Sequence, residues 1–199
     1  MNKKSFVIGV SGATGSGKSW FAKQVKDLAS DSIGVFTLDS YYKNNNYVNC
    51  LKYRHDNPDA INYDFAIVDL QNIINGHSIR VPQYDYETHK VIKYDIKEPM
   101  PIIIVEGLFA FSDERLRHLM DFLVWIEADY DVRLQRRINR DINERGDTID
   151  SATERFTYDA EPAFQEIISI NKQYADCVIF NNSNNHVSKT LLMLKNLLQ

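Results

Sequence analysis

Three things are scarce in this chain of 199 residues. Cysteine occurs twice, at Cys50 and Cys177, far apart and in no metal-ligand spacing. That excludes a disulfide scaffold and a cysteine-built zinc site and leaves two ordinary reduced thiols. Long apolar runs are missing: nothing approaches the roughly 18 residues of a membrane span. The first apolar run, 6–10, is cut short by glycines, too soon for a secretory signal, so a cytoplasmic location with no membrane partner is expected. A basic excess is also missing, with 23 Lys+Arg against 27 Asp+Glu and a net charge of −4. Binders of duplex nucleic acid normally carry a strong positive balance, so no nucleic-acid partner is expected. What is present is ordinary for a globular protein: 44% hydrophobic and 25% charged residues, enough apolar material for a sizeable core. The length favours one domain over residues 1–199.

Strand-like and helix-like stretches alternate along the chain. Apolar, β-branched runs at 6–11, 33–38, 101–105, 122–126 and 177–180 predict buried strands. Apolar residues at helical spacing (Phe21, Val25 and Leu28; Ile67, Leu70 and Ile74) predict helices over 19–29 and 66–75, the latter stopped by Gly76. A charged helix is expected over 131–144, a hairpin pairing 81–84 with 91–96, an asparagine-rich loop at 181–185 and an amphipathic closing helix over 187–198. The alternation implies an α/β fold with a mostly parallel sheet flanked by helices.

The strongest local signal is Gly12-Ala13-Thr14-Gly15-Ser16-Gly17-Lys18-Ser19, which fits G-x-x-x-x-G-K-[ST] between an apolar strand and a helical pattern. Small residues let backbone N–H groups curl around phosphate oxygens at a helix N-terminus. Lys18 is then placed for the β/γ-phosphates and the Ser19 hydroxyl for Mg²⁺. The alternative is a glycine turn before an ordinary helix, but four of the eight glycines fall between Gly9 and Gly17, which a generic turn does not require. A guanine-selective switch is disfavoured, because the nearest string to NKxD, Asn171-Lys172-Gln173-Tyr174, lacks the aspartate.

Two acids fall at strand ends, where open α/β sheets bind ligands. Asp39 is placed to accept the proton of an attacking hydroxyl or to hold the water shell of a metal, and Glu106 is a Mg²⁺ candidate. A capping or turn role is the plain alternative for each.

With Asp39-Ser40-Tyr41-Tyr42 in place, the chain resembles the uridine kinase family, the uridine/cytidine kinase and phosphoribulokinase group of P-loop kinases. The matching stretches are GVSGATGSGKS, LDSYYK, HDNPDAIN, PQYDYETH, VEGLFAF, DVRLQRRINRDINERG and YADCVIF, in the family's order and over nearly the whole length. The resemblance implies a P-loop NTPase fold with a small β-hairpin acceptor-binding insertion at about 41–98 and a helical lid at about 133–160. It implies transfer of the γ-phosphate of ATP or GTP, with Mg²⁺, to the 5′-hydroxyl of a pyrimidine nucleoside, and a homo-oligomer, specifically a tetramer. Position by position, Asp39 matches the catalytic base and Tyr42 its neighbouring tyrosine, while Asp56 matches a carboxylate that grips the ribose hydroxyls. Tyr84, Tyr86 and His89 match groups that hold the base, Arg137 matches a ribose contact, and Arg140 and Arg145 match lid arginines near the phosphates. The residues also allow plainer readings. Tyr84 and Tyr86 alternate as in a half-buried strand, and His89 fits an exposed turn. The i,i+4 pairs Arg137–Asp141, Arg140–Glu144 and Asp141–Arg145 fit a salt-bridged solvent face, the reading expected for Arg133 and Arg136.

The chain departs from the family pattern in three places. Asp147 follows Glu144-Arg145-Gly146 where the family has ERGR, Arg155-Phe156 stands where it has Gln-Tyr, and Asn57 replaces a histidine. Arg155 either relocates the missing lid charge or faces the base as a donor-only group. The alternatives to a nucleoside kinase are a kinase of another small alcohol, such as pantothenate or nicotinamide riboside, and a nucleotide-binding regulatory module without turnover. The acidic stretch Asp56–Asp59 disfavours a sugar-phosphate acceptor.

Overall fold

A β-branched apolar strand is stable only with cover on both faces, and five of the strands receive it here. The computed structural model describes residues 5–85 and 90–183. Strands β1 (Phe6–Gly12), β2 (Ile33–Thr37), β5 (Ile102–Glu106), β6 (Phe122–Glu127) and β7 (Cys177–Phe180) form one sheet in the order β2-β5-β1-β6-β7, every neighbouring pair parallel. Alternate side chains divide the core. Val7, Phe36, Ile103, Val105 and Trp125 pack with Ile67, Leu70 and Ile74 of helix α3 (Tyr63–Ile74). Val10, Ile33, Ile104, Val124 and Ile126 pack with Phe21, Ala22 and Val25 of helix α1 (Lys18–Leu28). β3 (Ile79–Asp85) and β4 (Lys90–Lys97) form a separate antiparallel pair. Among the described residues no helix is long and apolar enough to cross a membrane.

The expected strands and main helices are present, with ends displaced by a residue or so where side-chain period gives no stop signal. The larger displacement is in α3, which begins three residues before the expected 66, because Tyr63, Asp64 and Phe65 complete its first turn off the apolar stripe. The charged helix is α5 (Tyr130–Arg145), closed by Gly146 in the left-handed conformation. The tract 181–183 is irregular as expected, while 184–185 and the closing helix at 187–198 lie outside the described residues. Unforeseen are the short helices α2 (Asn45–Val48) and α4 (Glu114–Arg117) and, beyond the helical lid expected to about 160, the further course of a nearly continuous helical path that begins after α5. That path is α6 (Ile149–Arg155), a π-turn at Phe156–Ala160, α7 (Glu161–Ala163) and further winding to Tyr174. Its two π-turns shift the apolar positions off a 3.6-residue period, which hides the path from a periodicity reading.

The expected solvent face for Arg133 is overturned. Its side chain is 4% exposed, donates to the Ala128 carbonyl at 3.0 Å and to Glu161 at 2.9 Å, and lies 4.7 Å over the Phe164 ring. Arginine is suited to this, since its planar cation stacks on aromatic rings while its edge pairs with a carboxylate. Arg136 is half-buried beside the Ser16 carbonyl, 3.5 Å away.

Two glycines in the left-handed region separate conformational need from close approach. Gly15 has φ +74°, and a β-carbon there would fall 2.4 Å from the Arg133 carbonyl oxygen; Gly146 has φ +67° and nothing within 4 Å. Gly146→Ala is therefore expected to cost about 1 kcal/mol. Gly15→Ala adds overpacking against the backbone of α5, for a total of roughly 2–5 kcal/mol. Urea denaturation of the two variants measures the difference, and equal costs would contradict the close approach.

Candidate active site

The parallel register brings three strand ends together. β5 lies between β1 and β2, so Glu106 stands beside Val10 on one side and Thr37 on the other. Just beyond β1 the glycine-rich loop turns into α1, whose first residue is Lys18. The Ser19 hydroxyl donates to Glu106 Oε2 at 3.0 Å, and the Thr37 hydroxyl also bonds this carboxylate. Lys18 Nζ donates to the Ala13 carbonyl at 2.9 Å. Ser16 Oγ is buried with no hydrogen-bond partner among the described residues, a polar atom inside the loop that a phosphate oxygen would satisfy.

After β2 the chain enters a tight helical turn, Leu38–Tyr41. Leu38 and Tyr41 point into the core, with Tyr41 stacked 5.2 Å from Phe36 and its hydroxyl bonded to Asp69 at 2.8 Å. That anchoring leaves Asp39 and Tyr42 on the wall of a cavity of about 950 Å³ that Lys18, Ser19 and Glu106 also line. Burial pulls Lys18 down to about 8, against the opposing pull of Glu106 and Asp39. Burial, with Asp39 adding to it, pushes Glu106 up to about 7.

Opposite this cluster, α5 supplies cations. Arg137 Nη1 donates to Thr14 Oγ1 at 2.7 Å and its Nε to Asp141 at 2.6 Å. This fastens α5 to the glycine-rich loop. Arg140 and Arg145 line the same cavity. Burial lowers the Arg140 pKa, and the neighbouring Arg137 and Arg145 lower it further. Three guanidiniums gathered round the one carboxylate of Asp141 can receive a polyanion.

The far wall comes from the segment before α3 and from the hairpin. Asp56 is buried, and burial raises its pKa in spite of Arg137 nearby. Tyr42, His55 and Tyr84 form an aromatic corner. The Tyr42 ring is 5.4 Å from His55 and 5.6 Å from Tyr84, and His55 Nε2 is 3.4 Å from the Tyr84 hydroxyl. Tyr53 and Arg54, which line the cavity beside them, have positive φ of 64° and 47°. Such backbone costs roughly 1–3 kcal/mol per residue and gathers at ligand sites. Tyr86 and His89 lie outside the described residues.

Sequence reading did not single out His55, Thr37, Asp141 or Asp159. Asp159 lines the cavity and acts on Asp56. Only His55 had a signal, its place beside Asp56; it puts an imidazole in the cavity although Asn57 does not. The Asn57 side chain instead accepts from the Asp59 amide at 2.9 Å, a local turn role. The two other departures meet each other: Arg155 Nη2 donates to Asp147 Oδ2, and both line the cavity.

The shifted pair gives the ligand-free protein a pH signature. The contribution of Glu106 to stability is complete below its ordinary value of 4.5 and is lost as pH rises to about 7. Lys18 acts oppositely, its contribution growing from about 8 toward 10.5. Glu106→Gln should accordingly gain melting temperature relative to the parent between pH 5 and pH 7.5 without ligands. A constant difference across that range would refute the buried carboxyl as its source.

The family profile described as "Phosphoribulokinase / Uridine kinase family" matches residues 7–188. A uridine kinase of Clostridium perfringens is 35% identical over 198 residues, covering 97% of this chain and 95% of that protein. A uridine kinase of Clostridium botulinum is 38% identical over 205 residues, covering 99% of each. The solved phosphoribulokinase of Rhodobacter spheroides superposes with a TM-score of 0.62 at 13% identity, over 90% of this chain and 71% of that one, a likeness of fold. With the phosphate loop, the parallel sheet and sequence similarity over nearly the full length in agreement, the chain belongs to the phosphoribulokinase/uridine kinase family.

Proposed function

We propose that this protein transfers the γ-phosphoryl group of ATP or GTP to the 5′-hydroxyl of a pyrimidine nucleoside, uridine or cytidine. The observation that carries the reading is the continuity of one cavity. Lys18, Ser19 and Glu106 line one end, Asp56 and Tyr84 the other, with Asp39 on the same wall. A volume of about 950 Å³ suits a ligand pair at the upper end of the ordinary pocket range. Uridine kinase as the name of the relatives above supports the same acceptor class.

In this reading the loop from Gly12 to Ser19 wraps the β- and γ-phosphates and Lys18 neutralises them. Hard oxygen donors are what magnesium takes, and it usually keeps waters and shares substrate phosphates. Ser19 and Glu106, 3.0 Å apart, fit such a site, with Asp39 holding its water shell. Bound there, the ion would draw charge from the phosphate oxygens. Asp39 accepts the proton of the 5′-hydroxyl as that oxygen attacks the γ-phosphorus, and the bond to the β-phosphate oxygen breaks to release the nucleoside diphosphate. Arg140 and Arg145 spread the charge on the transferring group, and closure of the 133–160 lid excludes water. Asp56 accepts from the vicinal ribose hydroxyls beside Arg137, and Tyr42, Tyr84 and the imidazole of His55 frame the base, with Tyr86 and His89 as further base contacts. The homo-oligomer, a tetramer by family resemblance, finds support in β4, whose Val91, Ile92, Tyr94 and Ile96 are exposed.

Arg155 and Asp147 together present donors and acceptors to the cavity, the two functions that the amide of the family's glutamine presents alone. This favours a retained pyrimidine acceptor over a regulatory module, since Asp147, which stands where the lid cation is lost, is the partner of Arg155, the cation gained. Arg155→Gln alone strands Asp147, and the KM for the nucleoside should rise about tenfold. The double change Arg155→Gln with Asp147→Arg should restore it; a single variant with an unaltered KM removes the pair from recognition.

Asp39→Asn tests the base directly. It should leave nucleotide affinity, read by calorimetry, within about threefold, and lower kcat about a hundredfold or more. Undiminished turnover would take Asp39 out of the mechanism. Rates with uridine, cytidine, pantothenate and nicotinamide riboside identify the acceptor, and turnover of none of them sinks the assignment.

A further inference from the structure

Asp141 has no role in the chemistry above, yet it is the most completely buried charge on α5. Spacing along the helix places it one turn after Arg137, one turn before Arg145 and next to Arg140. Its carboxylate is 0% exposed. Arg137 Nε donates to Oδ2 at 2.6 Å, and Arg140 donates through both Nε and Nη2 to Oδ1 at 3.0 Å. Arg145 Nη1 lies 3.5 Å from the same Oδ1. One anion therefore meets three guanidiniums, all of which line the cavity. The backbone that carries this anion is fixed as well, because the amides of Gly146 and Asp147 both donate to the main-chain carbonyl of Asp141.

This is not the geometry of a surface ion pair. An exposed pair contributes little and leaves its side chains free to wander. A buried one is poor value for stability alone, since apolar residues of similar volume often serve as well or better. What a buried carboxylate does supply is direction. Gripping Arg140 by Nε and Nη2 fixes the plane of that guanidinium, and gripping Arg137 by Nε leaves its Nη1 on Thr14 of the phosphate loop. Preorganised donors need no reorientation as charge develops on a transferring phosphoryl group, and loose donors do.

We propose that Asp141 is a positioning residue for phosphoryl transfer, setting the orientation of Arg140 and Arg145 toward the phosphates and holding Arg137 against the phosphate loop. It rests on the kinase reading above. Burial by itself would raise the carboxyl pKa, but the three arginines outweigh it and hold the group below the ordinary carboxylate range, so the anion is kept at working pH.

The test is a double-mutant cycle on kcat with saturating magnesium nucleotide and nucleoside. Asp141→Asn preserves shape and removes the charge. It should lower kcat by about 10- to 100-fold, the usual loss when a partner that orients a ligating group is removed, and raise the nucleotide dissociation constant by a smaller factor. In an Arg140→Ala background the same change should cost at least about threefold less than in the parent, because the share of its effect that passes through that side chain is gone and only the shares through Arg137 and Arg145 remain. Equal losses in both backgrounds, or an undiminished kcat in Asp141→Asn, would overturn the positioning role. Arg140→Lys covers the case in which Asp141→Asn does not fold. Lysine at this partly exposed site keeps the charge but lacks the fork that Asp141 grips, so kcat should fall at least about tenfold, and an unchanged kcat overturns the proposal. Parent protein without turnover on any riboside ends the kinase reading and this role together, whereas an active parent with an indifferent Asp141 ends this role only.

Discussion

A charge removed from water must meet its partners inside the protein, and that constraint governs the whole site. Glu106 can sit at the end of β5 because Ser19 and Thr37 bond it and Lys18 faces it. Lys18 can lie buried because the Ala13 carbonyl, Glu106 and Asp39 surround it. On α5 the same rule holds with the signs exchanged, one carboxylate serving three arginines. Neither cluster is complete without the other: Arg137 spans them, bonded to Thr14 on one side and Asp141 on the other.

In the proposed reading, this arrangement lets a phosphate donor and an alcohol acceptor share one cavity. The donor end gathers Lys18 and three arginines, and burial, with the neighbouring Arg137 and Arg145 adding to it, lowers the Arg140 pKa, an effect an incoming polyanion would oppose. The acceptor end is built from Asp56 and aromatic rings, a combination suited to hydroxyl groups and a flat ring rather than to a second phosphate. Asp39 lies where the two meet, held there by a turn whose Leu38 and Tyr41 are sunk in the core. Membership of the phosphoribulokinase/uridine kinase family fits this division of labour.

Much of this was legible in the residues. The glycine-rich run, the strand before it and the helix after it are local features, and their spacing alone implies a phosphate cradle. The alternation of strands and helices gave the parallel sheet, because each strand's composition already declares two buried faces. The arginines of α5 were harder. Their i,i+4 partners are equally consistent with a solvated face; Arg133 proves to be interior because Glu161 and Phe164 of the helical path after Gly146 pack on it, and Asp141 is buried among its own helix's arginines. Nothing in the local sequence announces that path, whose π-turns at 156–160 and 164–168 break the apolar period.

Sequence by itself determined the elements and the chemistry of the phosphate loop, since both depend on residues close together in the chain. Tertiary structure decided what the charges do. The Asp147–Arg155 pair, the imidazole of His55 beside Tyr84, and the burial of Arg133 and Asp141 are matters of how the elements pack. Electrostatic interaction depends on separation and on exclusion of water, and neither quantity is written in the order of the residues.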